Sequence, residues 1–412
     1  MHYNFYFDES FHDRAVTLSS DGVLNVLDSN KNDSYIGVFW GCSNTKASKA
    51  LKLLLNFEKR QRQSFALPED KELKSTNISK EHFIHGIKSF RDKTYFFYKD
   101  LFETMLTIEP IIQIESISKV EFYIRELFKE TEFPIWVKPD SFYYSLVKFF
   151  LIYSNKELLK NLYLVNDKES AQEFKSLLLC QIKKLLEAID GIERKTKEKI
   201  AYEEVCIILE NVEIMINPDN KYTFNYSPNF DGLIRLLDEI EMSSKKVNLT
   251  IDREEKTFMT ALQFPFNTVK QQESINSVQL RFSDWISGFI GRMMYALLND
   301  KNMKEDTVED FNIIKNNDLT TKRILSDEWF NLSKKDFELY HLIYDALIVN
   351  HQHYWTTMTL SYCDQTIMFY GLLRYMASYK TYDDFCRVKK EMHSEYYNAC
   401  CCNELEQHYK KI

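Results

Sequence analysis

Residues 119–216 read as almost continuous α-helix, and they interrupt a chain that is strand-like on both sides. Apolar residues recur there at three- and four-residue spacing, through Phe174 to Ile189 and again through Tyr202 to Ile216. A segment with that period cannot alternate faces as a strand does, so it has to sit beside a sheet rather than within it. Glycine (9) and proline (7) are scarce in 412 residues, which argues against an all-β chain built on tight turns. The length exceeds what one core usually holds, so a large domain with insertions, or two domains, is expected.

Strand character comes first at residues 2–8, where Tyr3, Phe5, Tyr6 and Phe7 give an aromatic-rich run. It returns at Ser34–Cys42, after a polar turn at Asp28–Asp33 and a short candidate strand at Val23–Leu27. An antiparallel meander of two or three strands fits. Ala47–Gln63 has a helical rhythm and ends in Lys59-Arg60-Gln61-Arg62, a charged face open to solvent or to phosphate. Ser79 is placed to cap a helix running to Phe90. Ile108–Ile117 predicts a strand that begins after Pro110. Ser141–Tyr153 is dense in aromatics and reads as packed core rather than a base-stacking platform, and Glu193–Lys199 reads as an exposed connection. Further on come a helix at Phe230–Met242, a strand at Lys246–Ile251, a further strand within 258–270 and a helix from Ser277 to Leu298. Residues 301–412 are again mostly helical in pattern.

The formal net charge of −8 excludes nucleic-acid binding through bulk positive charge and leaves room for a local basic groove. Eight cysteines at irregular spacing predict reduced thiols. Cys400-Cys401-Cys402 with His393 and His408 is a remote metal candidate, since zinc ligands are normally spaced apart. The chain enters a strand at once, without a basic-then-apolar leader, and no apolar run reaches ~18 residues. A cytoplasmic protein with no membrane contact is expected.

Four separated acids stand where chemistry is possible. Asp8 ends the first strand, beside Glu9 and Ser10. Alternation sends Asp8 and Glu9 to opposite faces, so one of them joins a given site. Glu72 lies in the short polar stretch Glu72-Leu73-Lys74-Ser75-Thr76; if that stretch is extended, Glu72 and Lys74 share a face. Asp252 follows the later strand. Asp284 is the most informative, because Phe282, Trp285 and Ile286 surround it on a core helix. Burying a lone carboxylate costs several kcal/mol unless it is paired or metal-bound. Gly288 and Arg292 stack on the same helical face at i+4 and i+8. His2 and His12 flank the first strand and read as surface histidines.

This set resembles the RNase H-like superfamily, and more closely the bacterial family known as domain of unknown function 3800. The carrying residues are Asp8-Glu9-Ser10, Glu72-Leu73-Lys74, Asp252-Arg253, and Glu273-Ser274-Ile275-Asn276-Ser277 leading to Asp284 and Gly288. Three positions depart from that pattern: Phe11 stands for a glycine, Arg281 for a glutamine and Glu273 for an aspartate. The resemblance implies an α/β fold, with an RNase H-like mixed sheet of about five strands flanked by helices. Residues 1–118 and 217–300 would form that core, 119–216 a helical insertion, and 301–412 a helical C-terminal region. It implies Asp8, Glu72, Asp252 and Asp284 as catalytic residues holding Mg²⁺ or Mn²⁺. Lys74, Arg253, Arg281 and Ser10 would contact a nucleic-acid substrate, DNA or RNA. For the cations the alternative is a salt bridge to the same acids. The implied activity is a metal-dependent nuclease, in a bacterial phage-defence or mobile-element setting. The competing reading keeps the fold without catalysis, as a module whose helical additions bind a partner protein.

Overall fold

The computed structural model describes residues 2–11, 15–20, 22, 24–27, 33–68, 70–215, 224–300, 324–349, 356–358 and 360–410. His12, His351, His353, Val23 and most of the Asp28–Asp33 turn lie outside the described residues. The aromatic N-terminal run forms β1 (Tyr3–Ser10), which pairs antiparallel with β2 (Ser34–Ser43). Helix α1 (Asn44–Phe65) follows, then α2 (Asp92–Ile108) and β3 (Ile111–Ser118), antiparallel to β2. The third strand of the meander is therefore β3 and not Val23–Leu27, where the described residues make a 3₁₀ turn at Asn25–Leu27. Helix α2 escaped the sequence reading, although its buried Tyr98, Leu101, Phe102 and Met105 carry a helical period. The helix expected at 79–90 is instead two 3₁₀ turns, Lys80–Phe83 and Gly86–Ser89. Gly86 breaks it, with φ of 60°, in the left-handed region that glycine enters freely.

After β3 come α3 (Lys119–Leu127), α4 (Pro139–Ile152), α5 (Lys156–Leu164), α6 (Lys168–Ile189) and α7 (Thr196–Asn211). Among the described residues this stretch supplies no strand. Its helices close around a core of their own, in which Phe142, Phe149, Phe150, Phe174 and Tyr202 are buried. The aromatic run is thus core. The Glu193–Lys199 connection is less exposed than expected: Lys195 is buried, 2.8 Å from Glu198, and donates to the Tyr153 hydroxyl at 2.7 Å.

Then α8 (Ser227–Glu239), β4 (Val247–Ile251), α9 (Glu255–Ala261) and β5 (Thr268–Gln271) lead to α10 (Val278–Leu298). Ser277 caps α10 by accepting from the Leu280 N–H. Both β4 and β5 run parallel to β1. Past α10, α11 (Lys334–Tyr344) precedes β6 (Thr356–Met358), α12 (Asp364–Ala377), α13 (Tyr382–Cys386) and α14 (Lys390–Lys410). The sheet order is β5-β4-β1-β2-β3-β6, six strands of mixed direction. The C-terminal region is therefore not wholly helical, because β6 extends the sheet parallel to β3.

The two faces of the sheet bury different helices. Phe5, Phe7, Tyr35, Phe39 and Ile251 pack on one face against α8. Val38, Trp40, Ile112 and Ile114 lie on the other, with α1, α2, α10, α11 and α12 in one shared core. The C-terminal helices therefore help to bury α10, which is covered on nearly every side, its polar Arg281, Ser283, Ser287 and Arg292 included.

All eight cysteines are free thiols. His393 is not aimed at the cysteine run. It stacks between Phe330 and Phe385 and shares a 2.6 Å hydrogen bond with the Tyr375 hydroxyl. Burial holds its imidazole down at about 4, against an ordinary value of about 6.5. The unfolded chain thus binds this proton more readily. Stability from His393 is complete above pH ~6.5 and drains away as pH falls toward ~4. The stability lost between pH 7.5 and 4.5 should be about 2 kcal/mol smaller in His393→Phe than in wild type. Equal losses in denaturant titrations of the two proteins would contradict this.

Candidate functional site

Parallel pairing of β1 with β4 brings two of the acids together. Phe7 is level with Ile251, so Asp8 and Asp252 come next to each other where the pairing of β1 with β4 ends. Carboxyl ends of parallel strands are where open α/β sheets place ligands. Asp252 is fixed by its own turn: its Oδ1 accepts from the N–H groups of Arg253 at 2.8 Å and Ser274 at 3.0 Å.

Helix α10 brings the third acid. It lies on the β1 face opposite α8, and small side chains let it come close. Ser283 donates to the Tyr6 carbonyl at 3.3 Å, and the hydroxyls of Ser287 and Ser10 are 2.9 Å apart. One turn further on, the Phe11 ring covers Gly291, so tightly that a Cβ there would collide with it. Phe11 has φ of 60°, which explains why a glycine suits this position. A non-glycine residue there costs on the order of 1 kcal/mol. The ring contact with Gly291 and the hydrogen bond from buried Lys119 to the Phe11 carbonyl, at 3.0 Å, hold it in place.

The fourth acid arrives on the loop after α1. Leu73 is buried while Glu72 and Lys74 stay on the outer side, 3.3 Å apart as an ion pair. The Trp285 indole donates to the Leu73 carbonyl at 2.8 Å. Ser75 then meets Asp284 directly: its N–H reaches Oδ2 and its hydroxyl reaches Oδ1, both at 2.7 Å. Gly288 makes that approach possible, because a Cβ there would run into Ser75.

Charge ties these elements into one site. Burial pushes the Asp8 carboxyl well above its usual range, and the charges of Asp284, Glu9 and Asp252 push it further. Burial also raises Asp284, against the pull of Ser75, Arg292 and Lys74. Burial alone would lower the Lys74 ammonium, but Glu72, Asp284 and Asp252 outweigh it and hold it above its usual value. So the charges of Asp252 and Asp284 both reach Asp8, and Lys74 feels Glu72, Asp284 and Asp252. Carboxylate oxygens are the hard donors that Mg²⁺ and Mn²⁺ take. Among the described residues, no group of three or more His, Cys, Asp or Glu stands ready in ligating geometry.

The remaining expected contacts are engaged elsewhere. Arg253 pairs with Glu273 at 2.6 Å, both on the surface. The Ser10 hydroxyl is taken up by Ser287. Arg281 is buried, with its guanidinium 2.6 Å from Glu58 and a short hydrogen bond to the Ser274 carbonyl. It braces the turn that carries Ser274 against α1, in place of the open phosphate contact expected for it. Within the Lys59–Arg62 run, Arg60 pairs with Asp100 and Arg62 donates to the Pro68 carbonyl. Ser75, Ser287 and Trp285 were missed as site residues, since nothing in their spacing marks them.

No family model, no curated protein and no solved structure matches the chain. Removing one partner of a buried pair leaves the other charge stranded. Arg281→Ala should therefore lower unfolding stability by about 3–5 kcal/mol, measured by denaturant titration. A loss under about 1 kcal/mol would show that Glu58 gains nothing from this partner.

Proposed function

We propose that this chain is a divalent-metal-dependent nuclease that hydrolyses phosphodiester bonds on an RNase H-like scaffold. The observation that carries the reading is the convergence of Asp8, Asp252 and Asp284 from two neighbouring strands and a buried helix. The Asp8 carboxyl, raised first by burial, is raised further by the charges of Asp284, Glu9 and Asp252. A fold has little reason to collect them unless a cation offsets the repulsion. The donor set fits Mg²⁺ or Mn²⁺, with Asp8, Asp252 and Asp284 as holders and Glu72 at the margin. When bound, a pair of such ions would supply Lewis-acid stabilisation and an activated water for phosphodiester cleavage.

The protein's own residues have separable parts in this. Asp284 brings its charge from a rigid helix, so it cannot drift as a loop residue would. Lys74, half exposed beside Glu72, is the cation placed to meet a phosphate oxygen. Its ammonium is on the open side of the pair, since Glu72 is mostly covered, and can turn toward a phosphate oxygen. Arg253 is similarly free to exchange Glu273 for substrate. Either DNA or RNA suits this chemistry, because only the phosphodiester is addressed. Among the described residues, no helix is long and apolar enough to cross a membrane.

Asp284→Asn tests the reading. It should cut cleavage of DNA or RNA on the order of 1000-fold, about 4 kcal/mol of lost transition-state stabilisation. The metal-free melting temperature should hold or rise. The variant forfeits one hydrogen bond from Ser75, about 1 kcal/mol, and relieves the repulsion on Asp8. A variant that melts far lower, from a wild type that neither binds Mn²⁺ nor cuts any nucleic acid offered, would replace the nuclease with the non-catalytic binding module.

A further inference from the structure

Ser75 spends both of its donors on one carboxylate, and the loop does not need them for anchorage. Leu73 is already buried and its carbonyl already receives the Trp285 indole. The 3₁₀ turn that begins at Ser75 is closed from elsewhere: the Asn77 side chain accepts from the Lys74 N–H at 2.7 Å, and the Ile78 N–H reaches back to the Ser75 carbonyl. The Ser75 N–H, which such a first turn leaves without an internal partner, is what remains for Asp284. The hydroxyl adds a second bond to the other oxygen. Helix α10 is bare at Gly288 to admit this contact, and buried Arg292 donates to the Gly288 carbonyl at 2.9 Å just behind it.

We infer that Ser75 is a positioning residue for cation binding, one that couples the Asp284 carboxylate to the loop bearing Glu72 and Lys74. The inference rests on the metal-dependent reading above. Two donors lock the plane of the carboxylate and leave each oxygen a further lone pair for a cation. Because the donors belong to the loop, a cation that draws on Asp284 also steadies Lys74, one residue away. Partners of this outer kind typically contribute 10–100-fold to metal affinity.

The test uses the full chain and Mn²⁺ alone, with no substrate. Wild type is titrated with Mn²⁺ by electron paramagnetic resonance, and amide hydrogen exchange at residues 73–78 is followed with and without the ion. Mn²⁺ should slow exchange of the Ser75 amide several-fold. Ser75→Ala should fold, keep that amide and weaken Mn²⁺ binding about 10-fold. Asp284→Asn should weaken binding at least as much. Gly288→Ala, which pushes Ser75 off the helix, should copy the Ser75→Ala loss. Wild-type affinity in Ser75→Ala, with Asp284→Asn defective, overturns the role of Ser75 and leaves the metal site standing. An unchanged Ser75 amide in wild type on Mn²⁺ binding overturns it too, without recourse to any variant. A wild type that takes up no Mn²⁺ overturns this inference together with the function it rests on.

Discussion

A carboxylate on a helix covered from nearly every side has to be supplied with partners by the rest of the chain, and Asp284 sets that requirement here. Water cannot solvate it freely, so its charge depends on Ser75, Lys74 and Arg292. Each partner demands something of the fold. Ser75 needs a glycine at 288, Lys74 needs Leu73 buried beneath it, and Arg292 needs to be enclosed on the same helix. The close seating of α10 on β1, through Ser283 and Ser287, then places this charge beside Asp8. Register between β1 and β4 adds Asp252. None of these contacts is strong alone, and the acids meet because α10 and the β1–β4 register act together.

Much of this framework was legible because it rests on local rules. An aromatic run followed by acids predicts a strand that delivers a carboxylate, and β1 is that strand, though it runs on past Asp8 to Ser10. Ser277 predicts an N-cap, and α10 begins there. Extended geometry puts Glu72 and Lys74 on one side of Leu73, as found. The parts that escaped depend on contacts distant in sequence. Ser75 acquires its meaning from Asp284, 209 residues away. Arg281 reads as a cation near phosphate until Glu58, on α1, is placed against it. Strand β6 is three residues long, too short to carry a period of its own, and is defined by its pairing with β3. Phe11 differs again, since its left-handed backbone is visible only as a departure from an expected glycine.

The helices outside the sheet divide into two kinds of support. Helices α11 and α12 share the core of α10 and so belong to the site's foundation. Helices α3 to α7 have a separate core, joined to the sheet side by polar ties. Glu121 on α3 accepts from the N–H groups of Ser361 and Tyr362, and Tyr144 on α4 donates to Asp364 at the start of α12. Substitutions in the second group should reach the site through such ties, through the Phe122–Phe224 ring contact and through Lys119, whereas those around α10 act on it directly.

On the proposed reading, the acids converge in order to hold a divalent cation. A crystal of the wild-type chain soaked in Mn²⁺, with anomalous diffraction collected above the manganese edge, addresses it most directly. An anomalous peak should lie between the carboxylates of Asp8, Asp252 and Asp284, about 2.0–2.2 Å from their oxygens, and Mg²⁺ should displace it. A map with no peak there, at Mn²⁺ concentrations that label other acidic surface sites, would contradict it.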